Sequence, residues 1–217
     1  MLTLVSLGLF ACISSAAPPP GADVTPAVVP TPEKDQEVAV LAGGCFWCLE
    51  ADMDKLMGVV STTSGFAGGP EEHPTYEQVA HGDTGHTEAV YVVYDPQIVT
   101  YLQVLDWYWH HIDPTDAGGQ FCDRGKQYRT AIFPQNDGQL AAAKASLQTV
   151  TDSAVLSGAV VTEIVGGQTF WPAEKYHQDY SQTNAMHYQR YRTGCGRDDK
   201  VAKVWAKMLR QPQPLPH

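Results

Sequence analysis

Apolar and polar positions along this chain change period several times, and each change marks an element. Residues 38–42, Val-Ala-Val-Leu-Ala, form a short continuous apolar run ended by Gly43-Gly44, which predicts a buried strand. From 45 to 57 the spacing turns helical, with Phe46, Leu49, Met53 and Leu56 on one face. Residues 59–66 read as extended and close on Gly68-Gly69-Pro70, and 75–80 predict a short helix. A strand at 87–94, rich in β-branched and aromatic side chains, stops at Asp95-Pro96. A helix follows at 99–112, with Leu102, Leu105, Trp109 and Ile112 as its apolar stripe. Then come a strand at 128–133, an Ala-rich helix at 135–151 and a strand at 160–165. Beyond Phe170 the pattern weakens into Tyr-, Gln- and Arg-rich coil, with one solvated helix at 198–210. Strands alternating with helices predict a sheet layered with helices, α/β or α+β.

The N-terminal residues break this pattern. Residues 1–12, MLTLVSLGLFAC, are apolar and run into SSAAPPP, the shape of an export signal, too short for a permanent membrane anchor and without the usual leading Lys or Arg. Two cleavage readings stay open across residues 1–17. Leu9 to Cys12 is similar to a lipoprotein signal that leaves Cys12 lipid-bearing, while Ser14-Ser15-Ala16 suits an ordinary signal peptidase. Either makes the protein exported, periplasmic or membrane-anchored; a cytoplasmic location follows if the segment is not a working signal. Residues 18–36 read as a Pro-rich linker, with six prolines between 18 and 32. That leaves 37–217 as one domain whose C-terminal tail starts near 181, and a monomer is the expected state.

Composition narrows the class. Of 217 residues, 43% are apolar, 10% aromatic and 18% charged, which builds a core and excludes a disordered or fibrous chain. A net charge of −10 has the wrong sign for gripping a nucleic-acid backbone. The charge is uneven: residues 38–189 balance to −12 and residues 190–217 to +5. The basic tail is either a solvated helix or a segment folded back on the acidic body.

Chemistry enters at Gly43-Gly44-Cys45-Phe46-Trp47-Cys48. A strand runs into two glycines, and the cysteine opens a helix, where unpaired N–H groups and the helix dipole favour thiolate. Two neighbouring aromatics cannot both face one core, so Phe46 or Trp47 should line a cleft. Cys45 and Cys48 also make a C-x-x-C pair, the pattern of a thiol–disulfide exchanger or of half a zinc site. Zinc needs further paired ligands, and neither Cys122 nor Cys195 has a cysteine or histidine neighbour to supply them.

Three blocks together are specific: Gly43-Gly44-Cys45-Phe46-Trp47; Gly82-Asp83-Thr84-Gly85-His86-Thr87-Glu88; and Asp123-x-Gly125-x-Gln127-Tyr128-Arg129. In this order and spacing the chain, from about 38 to 191, closely resembles the A-type peptide methionine sulfoxide reductases. The resemblance implies a two-layer α+β sandwich with a mixed sheet and a ferredoxin-like core, here followed by a long coil-rich tail. It implies reduction of free or peptide-bound methionine S-sulfoxide, with no bound cofactor and with electrons from thioredoxin or a thioredoxin-like donor. It makes Cys45 the nucleophile, Phe46 and Trp47 the pocket for the S-methyl group, and Glu88 the acid on the sulfoxide oxygen. Tyr76 and Tyr128 match phenols that bind the same oxygen, and Asp123 an acid that orders the site. His86 carries no implied chemistry beyond ordering the strand.

The reaction has its own physical demands. Sulfoxide sulfur is a poor electrophile until its oxygen gains a proton, so a carboxyl donor must be buried enough to hold that proton near neutral pH. The product, a cysteine sulfenic acid, condenses with a second thiol. Cys195 ranks first as that resolving thiol, because Gly194 and Gly196 flank it and the family's recycling cysteine lies in such a tail. Cys48, one helical turn from Cys45, ranks second. Cys122 ranks third and reads as a small buried cysteine. A general thiol–disulfide oxidoreductase and a non-enzymatic sulfoxide- or metal-binding module are the competing readings.

Overall fold

The computed structural model describes residues 18–209, so the export signal expected at 1–17 and the lipid-anchor reading of Cys12 lie outside the described residues. In chain order the elements are β1 (Glu37–Gly43), α1 (Phe46–Met53), β2 (Val59–Ala67), α2 (Tyr76–Ala80), β3 (Thr87–Tyr94) and α3 (Tyr101–Trp109). Then follow β4 (Gly119–Gln120), β5 (Asp123–Arg124), β6 (Thr130–Ile132), α4 (Asp137–Asp152), β7 (Glu163–Ile164) and β8 (Trp171–Pro172). The chain ends in α5 (Tyr180–Thr183), α6 (Ala185–Cys195), α7 (Arg197–Val204) and α8 (Ala206–Leu209).

Six strands make one mixed sheet in the order β7-β6-β1-β3-β2-β8, with only β6 and β7 parallel. The central position of β1 explains its unbroken apolar run, since strands covered on both faces need no alternation. Ala39 and Leu41 point into the main core with Leu49, Met53, Val104, Leu105 and Tyr108 from α1 and α3. Val40 and Ala42 point the other way, into a smaller cluster with Ala89, Ala131 and Phe133 under Phe170. Local signals start two helices: Thr75–Gln78 and Thr100–Gln103 each form a reciprocal capping box.

Several elements differ from their sequence expectation. In α3, Leu102 is 53% exposed, and the buried face is instead Tyr101, Val104, Leu105, Tyr108 and Trp109. The strand expected from 128 starts at Thr130, because Lys126–Tyr128 turn as a 3-10 helix after Gly125. Residues 23–27 are not a free tether. Ala27 donates to Ala173 O at 2.9 Å, Lys175 donates to Thr25 O at 2.9 Å, and Asp23 pairs with Lys175 at 3.2 Å.

The largest departure is the tail: a helix was expected only at 198–210, where α7 and α8 lie, but α5 and α6 make most of 180–195 helical as well. Its buried side chains, Tyr180, Tyr188, Arg192, Cys195, Arg197 and Trp205, are mostly polar or polar-tipped and mixed in kind, so no apolar stripe announced it. The tail does fold back on the acidic body. Arg192 lies 2.8 Å from Asp52 of α1, and Arg197 donates to Gly43 O at 3.1 Å and to His111 O at 2.9 Å.

Candidate active site

The turn from β1 into α1 carries the nucleophile candidate. Gly44 has φ +84°, and a Cβ there would lie 2.6 Å from that of Gln120, so only glycine fits. Cys45 is the N-cap, and its carbonyl receives the N–H groups of Cys48 at 3.1 Å and Leu49 at 3.2 Å. β3 brings Glu88 opposite Phe66 of β2 and beneath this turn, where its carboxyl accepts the Phe46 N–H at 2.8 Å. Tyr76 opens α2, Tyr128 closes the 3-10 turn, and Asp123 opens β5.

These side chains meet in one narrow pocket lined by Cys45, Phe46, Trp47, Tyr76, Glu88, Asp123, Tyr128 and Tyr191. All seven residues expected at the nucleophile, acid, phenol and aromatic positions are among its walls. Both Phe46 and Trp47 are buried and line it, as the resemblance implied, whereas helix spacing alone allowed only one to face a cleft. They manage this because a second layer covers them. Trp47 stacks on Tyr180 with ring centres 3.8 Å apart and donates its indole N–H to His177 Nδ1 at 3.1 Å. Phe46 packs against Phe66, Tyr76 and His177. Burial pushes His177 down to about 3, so it is neutral and free to accept from Trp47. His86 stays outside the pocket, accepting from Gly69 N–H and facing Glu71 O at 2.7 Å, which ties the strand's entry to its neighbouring loop.

Protons are held tightly here. Burial raises the Glu88 carboxyl well above its ordinary value, against the opposing Phe46 N–H, with Asp123 and Cys48 adding to the rise. Asp123 is raised by burial too, although the Tyr191 phenol donates to its carboxylate at 2.7 Å. The Cys45 thiol is also pushed up, first by burial and then by Cys48, Glu88 and Asp123. The helix N-terminus alone was expected to favour thiolate; desolvation and neighbouring acids outweigh it in the closed pocket.

Tyr191, His177 and Tyr180 are the site residues that the sequence left unremarked. They lie in the stretch without period, where only the density of aromatic and histidine residues distinguishes them from surface coil.

The cysteines sort differently from expectation. Cys122 and Cys195 are joined by a disulfide across 73 residues, with Cα atoms 5.1 Å apart, so Cys122 is not a bystander. Cys45 and Cys48 are free and buried. Cys195 therefore pairs with Cys122 rather than with Cys45. Among the described residues, one group of sulfurs and a carboxylate could approach a metal, Cys122, Asp123 and Cys195, but its two sulfurs are bonded to each other.

The family model described as peptide methionine sulfoxide reductase matches residues 37–209. The chain belongs to that family. The methionine sulfoxide reductase A of Bacillus subtilis is 46% identical over 170 residues, covering 78% of this chain and 96% of that one. A reductase named for both MsrA and MsrB, from Vibrio cholerae, is 47% identical over 184 residues; these cover 85% of this chain but 49% of the relative, so the chain spans about half its length. Among solved structures, the reductase A of Corynebacterium diphtheriae superposes with a TM-score of 0.66 at 33% identity, covering 70% of this chain and 77% of that one. As a peptide methionine sulfoxide reductase, the chain is an oxidoreductase that returns methionine sulfoxide to methionine, on an α+β mixed-sheet fold.

Proposed function

We propose that Cys45 is the nucleophile of this reductase, acting on free or peptide-bound methionine S-sulfoxide. The observation that carries the reading is the pocket itself, which brings together a thiol and a buried carboxyl, raised well above its ordinary value, with aromatic rings in the same walls. Phe46 and Trp47 form the apolar wall for the S-methyl group. Glu88 gives its proton to the sulfoxide oxygen, with Tyr76 and Tyr128 as further donors to it. Burial also raises the Tyr128 phenol, so it stays a donor throughout. The Cys45 sulfur attacks the activated sulfoxide sulfur to form an S–S bond, and the protonated oxygen leaves as water. A water then attacks the Cys45 sulfur and breaks the S–S bond, so that methionine departs and the oxygen ends on Cys45. Sulfoxide and thiol become sulfide and sulfenic acid, and no net proton is consumed. Asp123, bonded to Tyr191 and facing the Cys45 backbone N–H, orders the wall opposite Glu88.

Condensation with a second thiol then leaves an intramolecular disulfide, which a thioredoxin-like dithiol reduces. The Cys122–Cys195 bond supports such recycling, because Cys122 is partly exposed whereas Cys45 and Cys48 are buried. Export remains part of the reading, supported by the apolar stretch at 1–12 and the prolines after it. An exported enzyme needs a membrane-fed donor in place of the cytoplasmic one.

The test is a single turnover without reductant on each epimer of a blocked methionine sulfoxide. Methionine should form from the S epimer only and vanish in Cys45→Ser. Turnover of neither epimer, or undiminished turnover in Cys45→Ser, sinks the reading.

A further inference from the structure

Beside the active pocket, three side chains of metal-ligand type converge from distant parts of the chain. Cys122 and Asp123 lie at the start of β5, and Cys195 ends α6. Their two sulfurs and a carboxylate oxygen all lie within 4.8 Å of one another. A tetrahedral zinc ion, with Zn–S near 2.3 Å and Zn–O near 2.1 Å, asks for about 3.8 Å between two sulfurs and about 3.6 Å between sulfur and oxygen. The Cys122 sulfur already lies 3.7 Å from Asp123 Oδ1. Only the disulfide holds the two sulfurs too close. Cysteines placed for a disulfide have Cβ atoms about 3.5–4.5 Å apart. Once the bond opens, turning the two Cβ–Sγ bonds parallel sets the sulfurs at the zinc separation.

The surroundings suit two thiolates and a carboxylate around a cation. Tyr191 donates to Asp123 with 2.7 Å to each oxygen, so it can stay on one oxygen while the other faces the metal. Outer partners of this kind orient ligating carboxylates. The Cys122 N–H points at the Cys195 sulfur at 3.1 Å, a ready donor to a thiolate there. Arg197 and Lys200 place positive charge near Asp123, which balances the excess left when three anions surround a divalent ion. Arg192 on Asp52 and Asp198, and Arg197 on Gly43 O and His111 O, hold the backbone on both sides of Cys195 in place. Cys122 and Asp123 are partly exposed and give an ion its way in, while Cys195 is buried.

We propose that reduction of Cys122–Cys195 creates a zinc site, with Cys122, Cys195 and Asp123 as ligands and water in the fourth position. A thioredoxin-like dithiol gives two electrons and two protons to the S–S bond and is itself left as a disulfide. Zinc then takes both sulfurs as thiolates, and the two thiol protons leave to solvent. Thiolate ligands select zinc over magnesium or calcium. Redox state gates the site: the oxidised pair has no thiolate to offer, and a zinc-held pair does not re-form its disulfide until the ion leaves. Asp123 is also a wall of the active pocket, so the ion fixes that wall. Binding does not depend on which thiol attacks the sulfoxide.

The test is equilibrium dialysis of the full chain against zinc chloride in two states. In one, Cys122–Cys195 is intact and Cys45 and Cys48 are reduced. In the other, a phosphine has opened the bond, since a dithiol would itself chelate zinc. The reduced protein should bind one zinc and the disulfide form none; Cys45 and Cys48 are thiols in both states, so the difference reports the other pair. Asp123→Asn should weaken binding by more than about tenfold, the least that losing an outer partner costs. Reduced protein with Cys45→Ser and Cys48→Ser together should bind like wild type. Zinc X-ray absorption should show two sulfurs at about 2.3 Å and two lighter ligands at about 2.0–2.2 Å. No zinc on the reduced protein, equal binding in both redox states, or a shell with one sulfur or three overturns the proposal. So does unchanged affinity in Asp123→Asn, or loss of the ion from the folded double variant. The two wild-type states decide even where a variant folds poorly.

Discussion

Glu88 and Cys45 face each other across one pocket, and burial acts on them in the same direction with opposite chemical value. For the carboxyl, desolvation preserves the proton that the sulfoxide oxygen needs. For the thiol, the same desolvation opposes ionisation. Replacing Glu88 with Gln keeps the shape and the hydrogen bond to Phe46 N–H but removes the transferable proton. Single-turnover methionine formation should then slow by about 10²–10⁴-fold. The wild-type rate should fall as pH rises through the raised Glu88 value, since the acid form exists only below it, and the Gln variant should lose that limb. An unchanged pH profile in Glu88→Gln would assign the proton to another group. Glu88 was legible in the sequence because its motif and the proton it must hold both demand burial. The raised Cys45 was not, because a helix N-terminus is a local feature and the acids that oppose it come from β3 and β5.

Helix α1 is buried along its whole length, although it carries Glu50 and Asp52 among its eight residues. Its apolar spacing was readable; its polar face was not, because the partners come from the tail some 140 positions later. Arg197 is the centre of that arrangement. It is 1% exposed, donates to two backbone carbonyls, lies 3.6 Å from Asp52 and sits over the Phe121 ring at 4.9 Å. The sequence showed only a basic tail against an acidic body, from which folding back could be guessed but no pairing. Breaking a buried charge pair on one side costs about 3–5 kcal/mol. Arg197→Met should lower the urea midpoint accordingly, and a loss below about 1 kcal/mol, the range of surface pairs, would mean the contact is not structural. Cys122 was misjudged for the same reason. A disulfide between residues 73 apart leaves no trace in local pattern.

The molecule as a whole is acidic, and several of its acids are buried, which sets how its stability responds to pH. Glu50 is raised to about 8, mainly by burial and then by Asp54 and Asp179. Between its ordinary value near 4.5 and 8 the folded protein keeps a proton that the unfolded chain releases. Stability is therefore full below this window and falls as pH rises through it, by up to about 1.4 kcal/mol per pH unit for one group. Glu88, Asp54 and Asp123 are raised as well and add slope of the same sign. Urea midpoints between pH 5 and 8 should decline in the wild type and decline less in Glu50→Gln. Parallel curves would show that Glu50 is solvated. The sheet and its order of elements followed from alternation and turn signals, whereas this response follows from burial that only the assembled molecule displays.

The Cys122–Cys195 bond closes a long loop, and its removal frees the unfolded chain by about 4 kcal/mol on the chain-entropy account. A reductant that restores the enzyme's thiols therefore also loosens the fold that holds them. Reduction of Cys122–Cys195 should therefore raise the protein's susceptibility to proteolysis, and limited digestion with and without reductant measures the change.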